Sequence, residues 1–370
     1  MEITSIKVYQ VDLPIAEGSY DWSNGNSYES FDSTIVRLET DTGLAGWGEV
    51  ATLGSAYLPA YARGARAAIE ELAPAVLGAD PTQPAVLAER LDRQLRGHPY
   101  AKSVLDVACW DLAGKAAGVP VSTLLGGQFG EDVPLYRAIS QDTPEAMAKS
   151  VANYHDAGYE NFQLKIGEDP VTDAERIRAS RAELDDECIL DADANTGLTR
   201  HEAVRLVEAI DDIDVYVEQP CQSYEACRAI RRKTDHPFVL DEVMTGIDAV
   251  VRGYQDDAMD VVNLKIAKVG GLTRARTIRD LCAQFELSMI IEDTWGSEIA
   301  TAAIAHLAQS TPADYRLAST DFQSYNTVTT ADGAPERADG RMRASTAPGL
   351  GVEPRLDVLG EPLATYGGKA

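Results

Sequence analysis

Eight short apolar runs alternate with amphipathic stretches between residues 133 and 317, a strand-and-turn pattern precedes them, and turns, Pro and Gly follow. These observations predict an α/β fold: a (β/α)8-type barrel, that is, a modified TIM barrel, with an N-terminal α+β capping domain completed by the C-terminal segment. A length of 370 residues suits that plan. The expected division is a capping domain over 1–130, a barrel over 131–328, and a tail over 329–370 that packs back on the cap.

In chain order, residues 6–11 and 34–40 alternate apolar with polar, and Asp41-Thr42-Gly43 turns the chain into 44–50, as in an antiparallel hairpin. Residues 17–32 are polar and rich in Gly, Ser and Asn, so they read as a long loop. Ala67, Ala68, Leu72, Ala75 and Val76 share one helical face, and Val104, Leu105, Ala108 and Leu112 share another. The candidate barrel strands are 135–139, 161–166, 189–193, 215–218, 238–241, 261–265, 289–291 and 316–317. Helical patterns at 174–183, 200–210, 273–284 and 298–309 separate them.

The net charge of −26 leaves no basic footprint for nucleic acid. Asp (33) exceeds Glu (26), and Arg (24) far exceeds Lys (9), a balance that a salt-rich, halophilic cytoplasm would explain by screening self-repulsion. Unfolding in dilute buffer is the expected result of that hypothesis; undiminished stability there would count against it. No apolar run approaches the roughly 20 residues of a membrane span. Met1-Glu2-Ile3-Thr4-Ser5 lacks a basic segment followed by an apolar one, so a cytoplasmic location without a signal peptide is expected. Cys109, Cys188, Cys221, Cys227 and Cys282 are odd in number and widely spaced, which points to reduced, buried thiols. The expected partners are a small-molecule substrate and further copies of the chain in a homo-oligomer, with neither nucleic acid nor membrane.

Strand C-termini are where such barrels place chemistry. Three successive ones carry Asp193, Glu218 and Asp241, each after an apolar run and about 25 residues from the last, one βα unit. A single acid at such a place commonly caps a helix. Three at equivalent places would repel one another unless a cation sat between them, and three hard oxygen donors without His or Cys suit Mg2+. Asp191 lies on the same face as Asp193, but Asp193 stands closer to the loop.

The strand before this row ends in Lys165 and the strand after it ends in Lys265. As the second and sixth of eight strands they lie on opposite sides of the barrel, so the two amines would face one another across the metal. In a chain with nine lysines, one that ends an apolar strand is unlike surface filler. A free Lys titrates near ~10.4, and burial beside a dication lowers it toward ~7–8, where a general base works best. The plainer alternative for either lysine is an ion pair with a neighbouring acid. Lys268 lies on the opposite face and reads as a structural ion pair. None of the five histidines ends a candidate strand, and no phosphate-binding loop, dinucleotide fingerprint, nucleophile elbow or zinc-protease motif occurs.

Lysine, then Asp/Glu/Asp, then lysine on strands two to six resembles the enolase superfamily, in its mandelate racemase/muconate lactonizing enzyme branch. Asp193-Ala194-Asn195, Glu218-Gln219-Pro220, Asp241-Glu242, Lys268-Val269-Gly270-Gly271-Leu272 and Pro348-Gly349-Leu350-Gly351-Val352 carry the likeness over nearly the whole chain. Within it, Tyr20-Asp21-Trp22-Ser23-Asn24-Gly25-Asn26, Gly97-His98-Pro99-Tyr100 and Glu292-Asp293-Thr294-Trp295-Gly296 are similar to cis-3-hydroxy-L-proline dehydratases and hydroxyproline-betaine epimerases. The resemblance implies Mg2+ on Asp193, Glu218 and Asp241, Lys165 and Lys265 as the catalytic acid/base pair, and abstraction of an α-proton from a proline-like carboxylate. It also implies substrate contacts from Trp22, Tyr57, Gln163, Asn195, Asp293 and Trp295. Trp295 is either a cation–π partner for a ring nitrogen or a core indole. Two departures stand out: Gln163 where many relatives have Lys, and Ser297-Glu298 where they have Gly-Asp.

Overall fold

The computed structural model describes residues 1–368. Strand β1 (Ile3–Pro14) pairs antiparallel with β4 (Ser30–Thr40) along nearly its full length, and β4 pairs with β5 (Ala45–Ala51). One face of this sheet presents Ile6, Val8, Val36, Leu38 and Val50 to α1 (Ala62–Val76), α2 (Pro84–Gln94) and α3 (Pro99–Ala117), forming a separate small core. Helix α3 lies so close to β5 that a Cβ on Gly46 or Gly48 would come within 2.3 or 2.1 Å of the Ala108 or Val104 carbonyl oxygen. Only glycine permits that contact.

The segment expected to be a loop contains a hairpin, β2 (Tyr20–Trp22) against β3 (Asn26–Tyr28). Its turn residues Asn24 and Gly25 take φ values of 61° and 69°. The polar turn dominates the composition of the segment, while its aromatics decide the structure: Tyr20 and Trp22 are buried, and Trp22 stacks on Tyr28 at 5.2 Å.

After β6 (Val133–Pro134), eight parallel strands form one sheet: β7 (Tyr136–Ile139), β8 (Asn161–Lys165), β9 (Ile189–Asp193), β10 (Tyr216–Glu218), β11 (Phe238–Leu240), β12 (Val261–Lys265), β13 (Ser288–Glu292) and β14 (Arg316–Ser319). They neighbour one another in sequence order, and the bridge between Leu135 and Ser319 joins the two ends, so the barrel is nearly closed. All eight expected strands are present, with seven of the sixteen ends displaced by one or two residues. Helix N-termini follow local chemistry: Thr199 and Glu202 form a capping box, and Asp169 accepts from Val171 and Thr172.

The tail serves both bodies. Its strand Arg341–Arg343 pairs with β6 below the barrel, whereas Ala364–Gly367 adds an antiparallel strand to β1. Glu49, at the end of β5, fastens the cap to the barrel. Its buried carboxylate accepts from Ser33 Oγ, Ser297 N and Oγ, and Ala300 N, at 2.7–3.0 Å. All five cysteines are free and buried. No helix among the described residues is long and apolar enough to cross a membrane.

Candidate active site

Parallel register brings the chemistry level. Lys165 lies beside Asp193, Asp193 beside Glu218, and Lys265 beside Glu292. Asp241 follows β11 directly. All are at most 5% exposed, so each charge is stripped of most of its water and must find a partner in the protein.

Those partners are specific. Lys165 Nζ donates to Asp193 Oδ2 at 2.6 Å, and Lys265 Nζ to Asp241 Oδ2 at 2.7 Å. Lys268, expected to form a structural ion pair, donates to Asp241 Oδ1 at 2.5 Å. Two neutral amides clamp the middle acid: Gln163 Nε2 reaches Glu218 Oε2 at 2.8 Å and Asn263 Nδ2 reaches Glu218 Oε1 at 2.7 Å. Among the described residues no three His, Cys, Asp or Glu side chains stand in a ready-made ligand cluster, because the row's oxygens are turned onto these donors. The donor set still fits Mg2+ by its chemistry: three buried carboxylates at the ends of successive strands, with no His or Cys among them. Glu218 shows the shortage of positive charge. Burial pushes its pKa well above the ordinary value, and the charges of Asp191 and Asp193 push it further.

Within the protein alone the lysines are pushed upward, whereas the lowering expected of them belongs to the site with its dication. Burial alone would lower both pKa values, but Asp193 beside Lys165, and Asp241 and Glu292 beside Lys265, outweigh it and raise both well above the ordinary value. In this arrangement both are ammonium ions. The phenol of Tyr57 joins the same network, donating to Asp241 Oδ2 and accepting from Lys265, each at 2.5 Å. Burial and then Asp241 push its pKa well up, so it stays a phenol.

Beside the two lysines lies a small, partly enclosed chamber of about 20 Å3, room for one water molecule; the three acids do not line it. Lys165 and Lys265 both open onto it, with Gln163, Asn195, Trp22 and Tyr57 among the residues named from sequence. Gln163 is chiefly a partner of Glu218. Asp293 and Trp295 do not line the chamber. Asp293 turns away to accept from the backbone N–H groups of Ala267 and Thr294, at 2.8–3.2 Å, and burial pushes its pKa up to about 7. Trp295 is 1% exposed and packs against Phe31, Tyr20, Phe322 and Tyr325, with centroids 4.6–5.4 Å away, while its Nε1 donates to Asn326. It is a core indole, and the ring-binding expectation is corrected accordingly.

Sequence reasoning missed Tyr20, Leu53, Tyr136, Glu292, Thr294 and Phe322, which complete the lining. Glu292 Oε1 lies 3.4 Å from Lys265 Nζ, and Tyr136 donates to Oε2. The signal for Glu292 was available: it ends its strand as Lys265 does. The Ser297-Glu298 departure acts elsewhere. Ser297 serves Glu49, and Glu298 accepts from Thr330 N and Oγ1 at 2.8 Å, so both secure the cap and tail.

Comparison with known proteins agrees with this layout. Residues 146–358 match the enolase C-terminal domain-like family, and residues 25–126 match the N-terminal domain of mandelate racemase / muconate lactonizing enzyme. The chain is 57% identical to the cis-3-hydroxy-L-proline dehydratase of Roseibium aggregatum over 366 residues, covering 99% of this chain and 100% of that protein. It is 28% identical to the N-succinyl-L-Arg/Lys racemase of Bacillus cereus, covering 98% of each. A crystal structure from Roseovarius nubinhibens, a mandelate racemase/muconate lactonizing enzyme complexed with magnesium, superposes with a TM-score of 0.97 at 40% identity, covering 99% of this chain and 100% of that one. With the lysines and acids at the strand ends, and two family domains matched in order, the chain is an enzyme of the mandelate racemase/muconate lactonizing enzyme family within the enolase superfamily.

Proposed function

We propose that the enzyme dehydrates cis-3-hydroxy-L-proline to Δ1-pyrroline-2-carboxylate with the aid of Mg2+. One observation carries this reading: Lys165 and Lys265, from the second and sixth barrel strands, open onto one chamber from opposite sides. The likeness to the Roseibium dehydratase supports the choice of substrate.

In that substrate the carboxylate and the 3-hydroxyl share a ring face, so the α-proton and the hydroxyl lie on opposite faces and leave in an anti sense. With Asp193 turned onto the cation instead, Lys165 would lose the partner that keeps it protonated and, as the free amine, take the α-proton, while the C3–O electron pair departs with the hydroxyl. Lys265 donates a proton to that oxygen, which leaves as water. The double bond formed between C2 and C3 gives an enamine, which tautomerises to the cyclic imine. Held by Asp193, Glu218 and Asp241, Mg2+ would bind the substrate carboxylate and supply the positive charge against which negative charge develops as the α-proton leaves. Tyr57 orients Lys265 through their hydrogen bond, and the aromatic walls exclude water.

The same opposed pair could return a proton to the other face, as a racemase or 2-epimerase of proline, hydroxyproline or their betaines would. Incubation of cis-3-hydroxy-L-proline and of L-proline in D2O with Mg2+ separates the readings. The expected result is imine with loss of water from the hydroxylated substrate. Deuterated antipode from either compound, without water loss, would establish the isomerase instead.

A further inference from the structure

Lys268 stands directly behind the acid row and takes no part in the steps above. It is 3% exposed, in the short helix Ile266–Val269 that follows β12. Its ammonium has three donors and uses them on Asp241 Oδ1 at 2.5 Å, Asp241 O at 2.5 Å and Asn263 O at 3.3 Å. Two of those acceptors are backbone carbonyls at the barrel rim, so the head group is fixed. Unlike Lys165 and Lys265, it does not line the chamber. One oxygen of Asp241 is thus engaged by Lys268, while the other faces Lys265 and Tyr57.

We propose that Lys268 is a positioning residue, a standing counter-ion that keeps the acid row assembled before a divalent cation arrives and, by doing so, weakens the row's hold on that cation. The inference rests on reading Asp241 as a Mg2+ ligand. Three buried carboxylates side by side repel one another, and two of the ammonium groups that now offset them belong to the acid/base pair. Lys268 is the one that stays. It attracts the row fully when metal is absent and is opposed by the metal's own charge when metal is present. Whatever favours the metal-free state over the loaded one lowers affinity by the same factor.

The test compares wild type, Lys268→Gln and Asp241→Asn/Lys268→Gln by thermal melting in EDTA and in saturating Mg2+, with Mg2+ titrated into the first two by calorimetry. In EDTA the single variant is expected to melt about 5 °C or more below wild type. Mg2+ should recover most of that deficit, and the single variant should bind Mg2+ about tenfold more tightly. The double variant should recover stability in EDTA, because the uncompensated carboxylate is gone. If the single variant does not fold, the double variant decides: folded supports the pairing, unfolded overturns it. An equal deficit in EDTA and Mg2+, with no recovery in the double variant, would reduce Lys268 to a packing residue. If wild type binds no Mg2+ while the double variant still recovers, the metal reading fails and the counter-ion stands.

Discussion

Lys165→Ala is expected to abolish both imine formation and α-proton exchange, with turnover falling about 10²–10⁴-fold. Lys265→Ala should cut imine formation by a similar factor yet leave exchange of the α-proton with D2O measurable, because the base on the other face remains. That asymmetry separates base from acid, and proton NMR of the substrate in D2O reads it directly. Loss of exchange in Lys265→Ala with retention in Lys165→Ala would reverse the two roles. Lys165→Ala also strips buried Asp193 of its ammonium partner at 2.6 Å, a change that costs about 3–5 kcal/mol of stability, whereas Asp241 keeps Lys268 when Lys265 is truncated, so that variant should lose less. Circular dichroism and melting curves therefore accompany the rates. Lys→Arg should not rescue either position, since a guanidinium stays protonated throughout the working range.

Stripping divalent metal should be about as severe. Chelation is expected to lower the rate at least about 10³-fold, equivalent to the several kcal/mol that a metal contributes at developing charge, with recovery on adding Mg2+. Glu218→Gln should lose activity that Mg2+ cannot restore, while the metal-free variant melts at or above wild type near neutral pH. The sign follows from linkage. Burial holds the Glu218 pKa above its unfolded value, so the folded state binds the extra proton and its stability falls as pH rises through that range. Gln has no such proton to lose, so its advantage should vanish in acid, below the unfolded carboxylate pKa. A metal-free Glu218→Gln protein markedly less stable than wild type at neutral pH would contradict that account of the middle acid.

The acid and lysine positions were legible because barrel strands write a simple pattern, a short apolar run that ends where the chemistry begins. Asp193, Glu218 and Lys265 each end such a run, and parallel register sets Asp193 level with Glu218 and Lys265 level with Glu292. What the pattern could not convey was the company each residue keeps across the barrel. Gln163 read as a substrate contact that lacks a cation, yet it clamps Glu218, on a strand 55 residues further along. Trp295 sits three residues past a strand end, where it suggested a ring-binding surface, but Tyr20 of the hairpin and Phe322 close over it. The hairpin itself was hidden because Ser, Asn and Gly at its turn outweigh Tyr20 and Trp22 in composition, although the two aromatics set its place. Ser297 and Glu298 took their meaning from Glu49 and Thr330, which no local pattern links to them.

The phenol that bridges Lys265 and Asp241 comes from the N-terminal part of the chain, 184 residues before its acid partner. The chamber it helps to line has room for about one water, so anything larger needs the lining, Tyr57 included, to move. Entry of substrate and escape of product would then involve the N-terminal domain as well as the barrel.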